Sequence, residues 1–139
     1  MSRLCARAAL WVTAAGCAAC HTATSRLHLV VQSAGVADAG QSLRYVVQIR
    51  SVDVASVWVV GCDVVRPRFE YRDGDGAVGA TDVICDRDRL FELRPGATLR
   101  DSGTVVRHAG AEYVPSVTVS RSADGRDARV LRGAKFIAP

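Results

Sequence analysis

From about Arg26 onward, apolar side chains return at every second residue, and no run of a dozen residues keeps a 3.6-residue period. Leu43, Tyr45, Val47 and Ile49 alternate with Arg44, Val46, Gln48 and Arg50, the pattern of a strand with one buried and one wet face. Leu27, Leu29 and Val31 alternate in the same way, with Ala39-Gly40-Gln41 as the turn between the two. A chain patterned like this cannot bury its apolar residues on helices. It must stack sheets.

The remaining segments follow suit. Val57 to Val65 is apolar throughout, which fits a central or doubly covered strand, and Arg66-Pro67 interrupts it. Phe69-Glu70-Tyr71 resumes before Asp73-Gly74-Asp75-Gly76, a strong turn signal. Val83-Ile84-Cys85 and Leu90 to Leu93 read as short strands, and Arg94-Pro95-Gly96-Ala97 turns the chain. Thr98 to Arg107 and Glu112 to Arg121 read as further strands, Pro115 assigning the latter to an edge or a bulge. Asp124-Gly125 forms a tight turn into Ala128 to Phe136. Seven to nine strands spaced by about 8 to 12 residues predict an all-β fold, an antiparallel immunoglobulin-like β-sandwich over residues 26–139. Its expected inner set includes Tyr45, Val47, Ile49, Trp58, Val60, Phe91 and Leu93.

The first twenty residues obey another logic. Arg3 and Arg7 precede a short apolar run, Ala8 to Ala15, and Ala14-Ala15-Gly16-Cys17 closes it with small residues before a cysteine. The run is too short to span a bilayer and has the shape of an export signal. The segment resembles a bacterial lipoprotein signal with its lipobox. The resemblance implies a signal peptide over 1–16, lipid on Cys17, a tether over 17–25, and residence at the cell envelope with the membrane as a partner. Removal of residues 1–16 leaves 139 − 16 = 123 residues, enough for one domain with its own core. Arg3 and Arg7 would leave and all 14 acids remain, so the formal charge falls from +4 to +2.

Among the five cysteines, Cys5 would be removed and Cys17 lipidated. Cys62 and Cys85 are then natural disulfide partners in an exported protein, and Cys20 is left unpaired in the tether. Parity places Trp58, Val60, Cys62 and Val64 on one face, so Trp58 is expected to pack near the bridge. Cys17, Cys20 and His21 also match the C-x-x-C-H pattern of covalent c-type haem, an alternative that competes with lipid for the Cys17 sulfur. The lipobox reading implies no cofactor.

Other motifs are weaker. Asp73 and Asp75 sit as in the start of a calcium loop, but the fifth and twelfth positions hold Ala77 and Ile84 instead of oxygen ligands. The segment reads as an acidic hairpin turn, to which Asp82, Asp86 and Asp88 add carboxylates nearby. No metal site is assigned. Arginines alternate with acids, as in Cys85-Asp86-Arg87-Asp88-Arg89, which predicts a mixed-charge surface and no nucleic-acid partner. The G-x-S-x-G, H-E-x-x-H and phosphate-loop motifs are absent from the sequence, and His108 stands alone beside Ala109-Gly110, so no catalytic residue is assigned.

Leu43 to Val106 resembles a bacterial immunoglobulin-like pattern. Its marks are the aromatic strand and D-G turn of Phe69-Glu70-Tyr71-Arg72-Asp73-Gly74, followed by Leu93-Arg94-Pro95-Gly96. The BsuPI-type intracellular proteinase inhibitors share that outline. The resemblance implies a sandwich and, as a further expectation, an inhibitory role. The sequence reading as a whole points to a non-catalytic, lipid-anchored module for protein binding or structural support. Asp73 to Asp82 and Arg107 to Glu112 are its first candidate loops.

Overall fold

The computed structural model describes residues 26–81 and 83–139. Signal peptide, lipid-attachment Cys17, tether and the haem alternative of Cys17, Cys20 and His21 lie outside the described residues, as does Asp82. The described chain forms an immunoglobulin-like β-sandwich of two antiparallel sheets. One sheet has the order β1-β2-β7, with β1 at Leu27–Ala37, β2 at Ser42–Ser51 and β7 at Thr98–Val106. A three-residue turn at Asp38–Gly40 joins β1 to β2, and the register slips by a bulge between Ser33 and Val36.

The second sheet is built around β8, Glu112–Ser120. β3 (Val57–Gly61) and β4 (Arg68–Arg72) lie end to end along one side of it, because β3 pairs with Val119 and Ser120 and β4 with 112–116. β9 (Arg129–Arg132) and β10 (Phe136–Ile137) lie end to end along its other side. Beyond β3 comes β6, Arg89–Leu93, and beyond β4 comes β5, Val78–Ala80. The sheet is thus four ranks wide, and three of its ranks are interrupted.

Both inner faces meet in one core. Leu43, Val47, Ile49 and Val59 are completely buried, as the alternation of β2 requires. Phe69 is the keystone. Its ring meets Tyr45 of the first sheet edge-on at 5.0 Å between centroids, and Tyr113 and Phe136 of the second at 6.0 and 6.2 Å. Tyr113 also forms a tyrosine corner: its hydroxyl donates to the Val106 carbonyl and accepts the His108 amide, both at 2.9 Å, tying the end of β7 to the start of β8. Gly103 faces Tyr45 across the β2–β7 ladder, and a Cβ there would lie 2.5 Å from the Tyr45 hydroxyl, so glycine makes room for the ring.

Four expectations from the sequence are corrected. First, Trp58 and Val60 belong to the outer face. Val57 and Val59 carry the buried side chains of β3. The chain bends just after Gly61, so the burial of Cys62 does not report which face Trp58 and Val60 occupy. A Cβ on Gly61 would lie 2.8 Å from the Val64 carbonyl oxygen, so the bend needs a glycine. Second, Cys62 and Cys85 do not lie on strands, and residues 83–85 form none. Third, Trp58 does not join the core, whereas the expected Cys62–Cys85 bridge forms, with Cα atoms 5.3 Å apart. The bridge lies within one sheet and joins the break between β3 and β4 to the break between β5 and β6. Fourth, Pro115 sits in the central strand. Its carbonyl accepts from the Gly133 amide, so its missing N–H points into the gap between β9 and β10, where no ladder bond is lost.

Candidate functional site

The outer face of the four-rank sheet carries a shallow groove of about 740 Å³. Register explains its floor. Leu90 pairs with Val60 across β6–β3, and Thr118 pairs with Val130 across β8–β9. Val60 follows the last β3–β8 pairs, Trp58–Ser120 and Val59–Val119, so it stands beside Thr118. Leu90, Val60, Thr118 and Val130 therefore form one row across all four ranks, and all four line the groove. Leu90 is 37% and Val130 61% exposed. Half-buried Trp58 lies on the same face.

Charged groups frame the row. Arg66, Arg68, Asp88 and Asp124 line the groove, and Cys85 brings the disulfide to its wall. Arg66 also bonds Asp63 at 2.9 Å. The Asp63 carboxyl is held below the usual carboxylate range, chiefly by its own backbone amide and further by the Val64 amide and Arg66. The bend carrying these groups is fixed from both sides. Val65 is buried, and its amide donates to Asp101 of β7 at 2.9 Å. Further along the face Arg132 reaches across β8 to grip Glu70 through two bonds of 3.0 and 3.2 Å, and Lys135 bonds Glu112 at 2.8 Å.

The β8–β9 turn at the groove's end is a knot of side-chain bonds. The Asp127 carboxylate accepts from the Ser120 and Ser122 hydroxyls and from the amides of Arg121 and Ser122. These bonds, that from Ser120 first, hold its carboxyl well below the usual carboxylate range. Ser122 Oγ also donates to Asp124 at 2.6 Å.

The loops singled out from the sequence behave differently. Asp73 Oδ1 accepts the amides of Asp75 and Ala77 at 3.1 and 2.8 Å, so that carboxylate is occupied in shaping its own turn. Among the described residues, no group of three His, Cys, Asp or Glu side chains is placed to hold a metal ion. His108 stacks on Tyr71 with centroids 4.0 Å apart, and both line a second groove of about 480 Å³ between β7 and the β4–β5 pair. The row of Leu90, Val60, Thr118 and Val130 was not singled out from the sequence. Val60 was expected on the inner face, and Leu90, Thr118 and Val130 were read only as members of separate strands; the register alone aligns the four.

No family model matches the chain, and no curated protein matches it. Solved structures do. The putative ApaA protein from Bordetella pertussis superposes with a TM-score of 0.59 at 16% identity, over 82% of this chain and 93% of that one. The structural-genomics target SoR45 superposes with a TM-score of 0.55 at 8% identity, over 81% of this chain and 83% of that one. At these identities the likeness concerns the fold alone, since one fold serves many functions.

Proposed function

We propose that this chain is a non-catalytic, lipid-anchored module of the bacterial cell envelope that binds another protein through the outer face of its four-rank sheet. The observation that carries the reading is the apolar row from Leu90 to Val130, open to solvent and framed by arginines and aspartates. An apolar centre with a polar rim is the anatomy of a protein interface, and Trp58 beside it is the residue type most enriched among binding hot spots. The floor holds valine, leucine and threonine, side chains suited to contact and not to acid–base or nucleophilic work. Lipid on Cys17 supplies the anchor, several acyl chains giving stable attachment where one does not.

Crosslinked pull-down from intact cells with the lipidated chain tests the reading. A partner enriched over a lipidated control domain, and lost on Leu90→Glu with Val130→Glu, is the expected result. Both side chains are exposed, so the fold tolerates the change. Capture that survives the double substitution moves the site elsewhere, and no enrichment across growth conditions removes protein binding as the function. Mass spectrometry of the mature N-terminus tests the anchor separately. Cleavage elsewhere, or an unmodified Cys17, overturns it.

A further inference from the structure

The two outer faces differ in charge. On the three-stranded sheet, the outward residues of β2 are Arg44, Val46, Gln48 and Arg50, and those of β7 are Thr98, Arg100, Ser102, Thr104 and Val106. Outward residues of β1 add His28, Val30 and Gln32. None of these strands turns a carboxylate outward, because Asp101 points inward to the Val65 amide. Arg44, Arg50 and Arg100 are exposed and make no ion pair among the described residues. On the opposite sheet Glu70, Glu92 and Glu112 each pair with a cation. The mixed-charge surface expected from the sequence holds for one face of the sandwich and fails for the other.

Register sets the spacing of the charges. Arg50 stands opposite Thr98 and Gln48 opposite Arg100, so Arg50 and Arg100 are diagonal neighbours. Arg44 lies six residues from Arg50 on the same strand, roughly 20 Å away. Three cations so spread match a broad anionic surface better than a single small anion, and exposed Val30 and Val106 give the same face apolar contact.

We propose that the outer face of the β1-β2-β7 sheet docks on anionic phospholipid, laying the domain against the membrane with the groove of the other sheet turned outward. The choice of a lipid surface over a soluble polyanion rests on the proposed anchor at Cys17; the charge segregation does not. Only nine positions separate Cys17 from Arg26, where the described chain begins beside β1. Their reach is at most about 30 Å, so an anchored domain stays within contact distance of the headgroups. A lipid-tethered chain with a basic face has the two signals that stable, lipid-selective attachment requires.

The test is partitioning of the purified full chain onto phosphatidylcholine vesicles with and without phosphatidylglycerol. The ratio between the two cancels whatever the N-terminal segment contributes. Each arginine is expected to add about fivefold, so the triple substitution R44Q, R50Q and R100Q lowers the ratio by roughly 100-fold, and salt does the same to the parent chain. A control triple, R68Q, R72Q and R132Q, removes equal charge from the other sheet and leaves the ratio unchanged. Circular dichroism confirms that both variants are folded. A parent ratio near one, an equal fall in both triples, or preferential capture by polyglutamate, which indicates an acidic protein partner, overturns the proposal. The anchor fails independently of it. An unlipidated Cys17 with an arginine-dependent ratio retires the anchor and keeps the face, and a lipidated chain whose ratio ignores these arginines does the reverse.

Discussion

At the scale of single residues, two side chains govern the joints between strands. The Tyr113 hydroxyl bridges the end of β7 and the start of β8, so Tyr113→Phe leaves the His108 amide and the Val106 carbonyl without their partner. A loss of about 1 to 2 kcal/mol is expected from urea denaturation, with the core ring retained. Asp127 governs the β8–β9 turn. Its folded-state pKa lies below the ordinary aspartate value of about 3.9, so its contribution is present above that pH and is lost as pH falls through the lower folded value. NMR titration should find Asp127 still ionised below the ordinary aspartate value, and Ser120→Ala should raise its midpoint. Amide protection at Arg121 and Ser122 should persist through pH 4 and vanish only in stronger acid. A midpoint in the usual range would falsify this account of the turn. Neither role was legible in advance: the partners lie only five to seven residues away, but strand alternation and turn signals assign a face to a side chain and not a hydrogen bond.

Among the elements, the interrupted ranks of the second sheet set the weak points. β3–β4 and β5–β6 each break in mid-course, and the Cys62–Cys85 bridge joins the two breaks. Replacing both cysteines by alanine should lower stability by roughly 3 kcal/mol, the amount for a closed loop of this size. Hydrogen exchange should rise first in residues 62–67 and 83–88 while β1, β2 and β7 keep their protection. Equal loosening of both sheets would mean that the bridge constrains only the unfolded chain. The pairing itself was readable from the compartment implied by the N-terminus, but its placement was not. Alternation reports which face a residue occupies, not which strand lies beside it. For that reason Pro115 read as an edge or bulge residue without showing that β8 is the most central strand, and its tolerance depends on a one-residue slip between β9 and β10 opposite it.

For the whole molecule, the sandwich is one cooperative body because its aromatic keystone touches both layers. Phe69 packs against Tyr45 on one side and Tyr113 and Phe136 on the other. Phe69→Ala should cost about 3 to 5 kcal/mol, the range for a deeply buried aromatic. Near- and far-ultraviolet circular dichroism should lose signal in a single coincident transition. Two separated transitions would show that the sheets hold independently. The same layering divides the proposed labour of the surface, with arginines on one outer face and the apolar row on the other.

The period-two pattern by itself determined that the chain forms antiparallel sheets, and it determined the buried side of β2, since Leu43, Tyr45, Val47 and Ile49 all point inward as read. It failed in β3, where apolar residues occupy both faces and alternation does not say which of them is buried. What only the tertiary structure decided is everything that depends on neighbours across strands: the row from Leu90 to Val130, the place of the disulfide within one sheet, the gap that admits Pro115 and the separation of charge between the two faces. Arg44 and Arg50 were visible as outward positions of one strand, but Arg100 joins them only through the β2–β7 register. Face is encoded locally because a strand's side chains alternate by covalent geometry. Adjacency is not, because it is set by which strands minimise exposed apolar surface and unpaired backbone together, and that is a property of the assembled chain.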